Sequence, residues 1–139
     1  MGFDPEMFLA RYADAYNSRD PEALRTFFAL EDPRFAVFED FSGKLFDGEA
    51  YGVILESVFD ATGEMGFELL RCDTFGDFAT VHAIQKIVDR DEEGEIAEVF
   101  IRATLLVSLA GEGPKVASAH FSTVPASDEP GGFPGGCCG

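Results

Sequence analysis

The chain lacks tryptophan, has three cysteines, and sets ten lysines and arginines against 26 aspartates and glutamates, for a formal charge of −16. Such a field repels phosphate backbones and anionic lipid surfaces, which excludes binding to nucleic acid or membrane through a basic patch. No apolar run approaches the roughly 18 residues that a membrane span needs. Asp4, Glu6 and Asp14 interrupt the stretch Met1–Tyr16 where a targeting segment would be apolar, and Glu6 stands where a myristoylation signal after Gly2 needs Ser or Thr. Cys72 alone in an expected strand and Cys137-Cys138 side by side make no disulfide framework. These absences suit a reduced, cytoplasmic setting. What the chain has in plenty is phenylalanine, 15 of 139 residues, within a hydrophobic share of 46%. That composition excludes wholesale disorder and predicts a core hiding roughly 68% of the extended chain's surface.

Two helix starts share one device. Asp4-Pro5-Glu6 and Asp20-Pro21-Glu22 each place an acceptor at the N-cap, proline at the first helical position and a carboxylate in the positive first turn. The first helix is expected to run to Asn17; the second is short. A third starts after Asp47, where Tyr51, Ile54, Leu55, Val58 and Phe59 fall on one helical face, and Gly63 ends it. Arg34–Phe38 reads as a short strand. Long β-rich segments follow at Phe67–Thr74, Phe78–Val88, Ile96–Leu109 and Lys115–Val124, joined by short links. Consecutive strands so joined predict an antiparallel meander, and three helices before a sheet predict an α+β fold with the helices on one face of a curved sheet. Residues 1–125 form one expected domain; 126–139, rich in glycine and proline and carrying Cys137-Cys138, read as a flexible tail.

Strand alternation sorts the candidate site residues. In Ile96–Leu109 one face carries Ile101, Ala103, Leu105 and Val107, and the other carries Phe100, Arg102, Thr104 and Leu106. His120 and Ser122 share a face of the last strand, and His82 lies on a face of Phe78–Val88 with Ile84. If these faces all look into the hollow of a bent sheet, Arg102, His120 and His82 converge there, with Tyr12 and Asp40 closing the other side. Each residue also has a structural reading: Arg102 as an ion-pair partner of Asp40 or Glu39, the histidines as bridging core groups, Tyr12 as a core side chain, Asp40 as a turn former. Sequence patterns for a P-loop, a dinucleotide fold, a nucleophile elbow or a zinc protease are absent. Cys72 reads as packed and inert, and Asp89–Glu95 as a solvated hairpin loop without calcium-ligand spacing.

The element order, with Arg11-Tyr12-Ala13-Asp14-Ala15-Tyr16-Asn17-Ser18-Arg19-Asp20 on the first helix, resembles the nuclear transport factor 2-like superfamily. Phe38-Glu39-Asp40-Phe41-Ser42-Gly43, Ile101-Arg102-Ala103-Thr104 and His120-Phe121-Ser122 before Pro125 extend the resemblance over Asp4 to Pro125. It is to the SnoaL-like and ketosteroid isomerase-like members, and the last of these segments is also similar to the association domain of calmodulin-dependent kinase. The resemblance implies a cone-shaped cavity, a dimer formed through the sheet, Tyr12 in the place of an oxyanion-donating tyrosine and Asp40 in that of a general base. The isomerase's third group, a protonated aspartic acid, is replaced by Arg102. A guanidinium there would lower a nearby carboxyl by about 1–3 pKa units and suit an anionic guest.

The expectation is therefore a homodimeric small-molecule binder, without metal or cofactor. Arg102 would anchor a carboxylate or carbonyl, and Phe38, His82, Phe100, Ser122, Ile54 and Val58 would line the site. Any turnover, an isomerisation or cyclisation, would use Asp40, His120 and Tyr12 as acid, base or donor. The alternative is a non-catalytic assembly module whose own side chains fill the hollow. The aliphatic face Ile101-Ala103-Leu105-Val107 is assigned to the dimer contact.

Overall fold

The structure, a computed structural model, describes residues 2–39 and 42–124. Three helices lead: α1 (Pro5–Asn17), α2 (Pro21–Arg25) and α3 (Gly48–Glu56), the last continued by a 3₁₀ turn at Ser57–Asp60. Their N-caps work as the sequence predicts. The carboxylates of Asp4, Asp20 and Asp47 accept from the backbone N–H groups of Met7, Ala23 and Ala50 at 3.1, 3.2 and 2.9 Å. The switch to 3₁₀ geometry corrects one expectation. Each 3₁₀ residue turns about 20° further than an α residue, so Phe59 swings off the buried face that Tyr51, Leu55 and Val58 share and is 65% exposed.

Six strands follow in chain order: β1 (Ala36–Phe38), β2 (Leu45–Phe46), β3 (Glu64–Phe75), β4 (Phe78–Arg90), β5 (Ile96–Ser108) and β6 (Lys115–Thr123). They form one sheet in the order β2-β1-β6-β5-β4-β3. The four long strands make the expected antiparallel meander, while β1 joins β6 in parallel and pairs β2 antiparallel. The two-residue strand β2 has no signature in the sequence. Extra residues at Leu70 in β3 and at Ala117 in β6, opposite Leu106 and Val107, bend the sheet. The fold is α+β, with helices against the concave face. The Asp89–Glu95 loop is a hairpin in which Asp91 accepts from the N–H groups of Glu93 and Glu95.

The core explains the phenylalanine content. Phe28 is nearly fully buried and meets Tyr12, Phe35 and Tyr51 edge-on at ring distances of 5.5, 6.3 and 5.3 Å. Such pairs each contribute about 0.5–1.5 kcal/mol beyond the area they bury. Beneath them, Ile101, Ala103, Leu105 and Val107 pack inward from β5. This reverses the assignment of that aliphatic face to a dimer contact, and the reason is energetic. Four aliphatic side chains gain more from the protein interior than a face holding Arg102, whose burial would demand a partner.

Among the described residues, no helix is long and apolar enough to cross a membrane. Asp40, Phe41 and the segment 125–139, including Cys137-Cys138, lie outside the described residues.

Candidate functional site

Small residues on the inner sheet face, Ala79, Ala83 and Ala103, are buried under the helices. Toward Gln85, Ile101 and Phe121, helices and sheet enclose a cavity of about 280 Å³. Its helical wall carries Tyr12 and Tyr16 from α1, Leu24 from α2, and Tyr51, Ile54 and Leu55 from α3, with Val58 following on the 3₁₀ turn. Its sheet wall carries Met65, Gln85, Ile87, Ile101 and Phe121, and Glu39 lines it from the end of β1. Tyr12, Tyr51 and Gln85 are buried, whereas Tyr16, Glu39 and Ile54 are half-buried and mark the rim.

The polar groups are few and concentrated. Tyr12 and Tyr51 both line the cavity, and both phenols are pushed well above the ordinary tyrosine range, chiefly by burial. The Glu39 carboxylate adds to the rise at Tyr51. One Glu39 carboxylate oxygen accepts from the Ser42 N–H at 3.2 Å, which ties the side chain to the turn beyond β1. Tyr16 is raised by burial too, an effect opposed by Arg19. The Arg19 guanidinium lies 5.3 Å from the Tyr16 ring centre and donates to the Gly63 carbonyl at 2.8 Å, so it joins the end of α1 to the segment before β3. Arg19 does this from a left-handed backbone at φ +57°, the conformation that closes α1.

Most of the predicted site residues stand elsewhere. Tyr12, Ile54 and Val58 line the cavity as expected. Arg102, His120 and His82 are exposed on the outer face of the sheet, with Phe100 and Ser122 half-buried beside them. The register puts Arg102 between Ile84 and Ser122, and Thr104 between His82 and His120. Phe38 is 45% exposed and stacks on His120 at 5.4 Å on that outer face. Hence the predicted convergence of Arg102, His120 and His82 in the hollow does not occur. These residues do form one cluster, but on the convex side. Asp40 lies outside the described residues.

The residues missed were legible by parity. Val37 is fully buried on β1, so Glu39, two residues on, shares its face while Phe38 points away. On β4 the inward set is Ala79, Val81, Ala83, Gln85 and Ile87, opposite in parity to His82. With Ile101 pointing inward beside Gln85, no arginine, lysine or histidine among the described residues lines the cavity. Among the described residues no group of three His, Cys, Asp or Glu side chains comes together to hold a metal.

Neither a family model nor a curated protein matches the sequence. Solved structures do. A ketosteroid isomerase-like protein from Erwinia carotovora atroseptica aligns with a TM-score of 0.66 at 17% identity, covering 86% of this chain and 93% of that one. The chain has the nuclear transport factor 2-like fold. A nuclear transport factor 2-like protein of unknown function from Pseudomonas putida shares the fold at 25% identity and a TM-score of 0.65, over 84% of this chain and 81% of that one. A CaMKII hub from S. rosetta shares it at 22% identity and a TM-score of 0.63, over 89% of this chain and all of the other. A ketosteroid isomerase-like protein and a CaMKII hub thus share one frame, so function has to be argued from the site.

Proposed function

We propose that the cavity binds a small, neutral, largely apolar organic molecule by a carbonyl or hydroxyl oxygen, held at the Tyr12–Tyr51 pair. The observation that supports this most directly is that two buried phenols and the Glu39 carboxylate line the same cavity of about 280 Å³, whose other walls are largely apolar. An apolar cavity of about 150 Å³ holds a single aromatic ring, whereas drug-sized ligands need about 300–1,000 Å³. The guest is accordingly of one or two rings. The anionic guest expected from Arg102 gives way to a neutral one, because the walls hold no cation and Glu39 repels a carboxylate.

The same groups suit cofactor-free proton transfer. A ketone whose oxygen accepts from a tyrosine hydroxyl would have its adjacent C–H acidified. Glu39, rather than His120 on the outer face, would take that proton, and the enolate oxygen would stay hydrogen-bonded to the phenol. Return of the proton at another carbon completes an isomerisation. The open cavity favours this reading over an assembly module whose own side chains fill the hollow.

Homodimerisation accompanies the reading, but through the convex face that carries Phe38, Phe100, Arg102 and His120, not through the aliphatic inner face. Structural likeness to association and hub domains supports assembly of copies. Two measurements test the site. Naphthol titrated calorimetrically should bind the native protein and lose affinity about tenfold in Tyr51→Phe. Cyclohexenone in heavy water should exchange its α-protons faster with the native protein than with Glu39→Gln, followed by NMR. Absence of naphthol binding would sink the ligand reading; equal exchange with both proteins would leave a binder without Glu39 chemistry.

A further inference from the structure

Besides the tyrosines, Gln85 is the one polar side chain buried among the described residues, at 5% exposure. It sits on the inner face of β4, between Phe67 and Ile101 in the register, at a position where its neighbours along the face are Ala83 and Ile87. Its amide nitrogen reaches only the Met65 sulfur, at 3.3 Å, a weak acceptor. Its carbonyl oxygen makes no hydrogen bond among the described residues. Among the described residues, no polar side-chain atom that is fully shut away lacks a partner, so that oxygen has the open cavity beside it. An amide oxygen facing an open cavity is available to a partner that enters it, which an aliphatic residue at this position could not offer.

We propose that Gln85 is a specificity-determining residue that selects a ligand with a second polar group. Building on the ligand reading above, the guest would be bifunctional. One oxygen meets the tyrosines on the helical wall, an apolar ring system spans the cavity, and a hydroxyl or amide on the opposite edge meets Gln85 on the sheet wall. The amide can accept through its oxygen and donate through the nitrogen proton not engaged by sulfur, so a hydroxyl, which does both, is a matching partner. A site with a buried polar group discriminates against analogues that leave it unpaired far more strongly than an apolar pocket discriminates by size. Glu39 and the tyrosines then govern the reacting end, and Gln85 governs which molecules are admitted.

The experiment compares naphthol with the set of isomeric naphthalenediols, titrated calorimetrically into the native protein and into Gln85→Met. Methionine keeps the length of glutamine and removes its amide. At least one diol should bind the native protein about tenfold more tightly than naphthol, the worth of one added buried hydrogen bond. In Gln85→Met that advantage should vanish, the ratio of diol to naphthol affinity falling to about one. Naphthol binding with no diol preference, or a preference that survives in Gln85→Met, overturns the proposal and leaves the ligand reading standing. If neither naphthol nor any diol binds, both fall together.

Discussion

The Phe28 ring lies edge-on against both Tyr12, carried by α1, and Tyr51, carried by α3, at 5.5 and 5.3 Å, so one phenylalanine ties together two tyrosines from helices far apart in sequence. Burial keeps both protonated beyond the usual tyrosine range. In the unfolded chain each would ionise near pH 10. Above about pH 10 the folded state therefore holds more protons than the unfolded one, and stability falls as pH rises. Below it the pair gives no pH dependence. Urea midpoints measured from about pH 8 upward should drop beyond pH 10, by about 1.4 kcal/mol per pH unit for each tyrosine. Tyr51→Phe should make that slope shallower whatever it does to absolute stability. A slope unchanged by the substitution would show that Tyr51 ionises freely in the folded protein.

Asn17 closes the end of α1 onto β3. Its side-chain amide donates to the Met65 carbonyl at 3.0 Å and accepts from the Met65 N–H at 2.7 Å, as a strand neighbour would. Asn17→Ala leaves both backbone groups to find water in a half-buried site, at a cost of about 1–3 kcal/mol. Chemical denaturation measures this directly. Because Tyr16 and Met65 both line the cavity, naphthol affinity should fall as well. A loss below about 0.5 kcal/mol would mean that water replaces the asparagine without penalty.

Why the fold could be read and the site could not follows from the same residues. Asp4-Pro5, Asp20-Pro21 and Asp47 state helix starts through local chemistry, and each cap forms as written. The four long strands state themselves through length and short connections. Which face of β5 turns inward is a different kind of fact, since both faces carry apolar residues and only packing against helices decides between them. Letting Arg102 nominate the functional face inverted the choice, whereas the aliphatic run Ile101-Ala103-Leu105-Val107 carried the stronger energetic signal. One inverted parity moved His82, His120, Phe100 and Ser122 with it. Tyr12, Ile54 and Val58 escaped because helical periodicity fixed them independently.

Gly48 and Gly52 both lie on α3, yet alanine should act oppositely at the two. A Cβ at Gly48 would collide with the backbone carbonyl of Leu30, which cannot turn aside. Gly48→Ala should cost about 2–3 kcal/mol through the forced backbone shift. At Gly52 the nearest atom is the Arg25 guanidinium at 3.4 Å, the far end of a flexible side chain. There the gain of about 1 kcal/mol from replacing a helical glycine should leave Gly52→Ala neutral or mildly stabilising. Equal losses at both sites, by urea denaturation, would show that α3 shifts as a unit and that contact with Leu30 does not set its position.

Arg102 separates the two faces of the sheet experimentally. The guanidinium is exposed on the convex side, and the cavity at that level is walled by Ile101, so Arg102→Met should leave naphthol affinity within about twofold of native, well under the tenfold worth of a lost buried hydrogen bond. Assembly is where the change should register. Arg102 lies between Ile84 and Ser122, near the centre of the face assigned to the dimer, and losing its charge there removes either a cross-partner hydrogen bond or a like-charge repulsion. Light scattering coupled to size exclusion, over a dilution series, should show a shifted dimer midpoint. Arg102→Glu offers the stronger perturbation, since in a twofold contact each substitution acts twice. A midpoint unmoved by both variants would take the convex centre out of the interface, and a large drop in naphthol affinity would bring Arg102 back to the ligand.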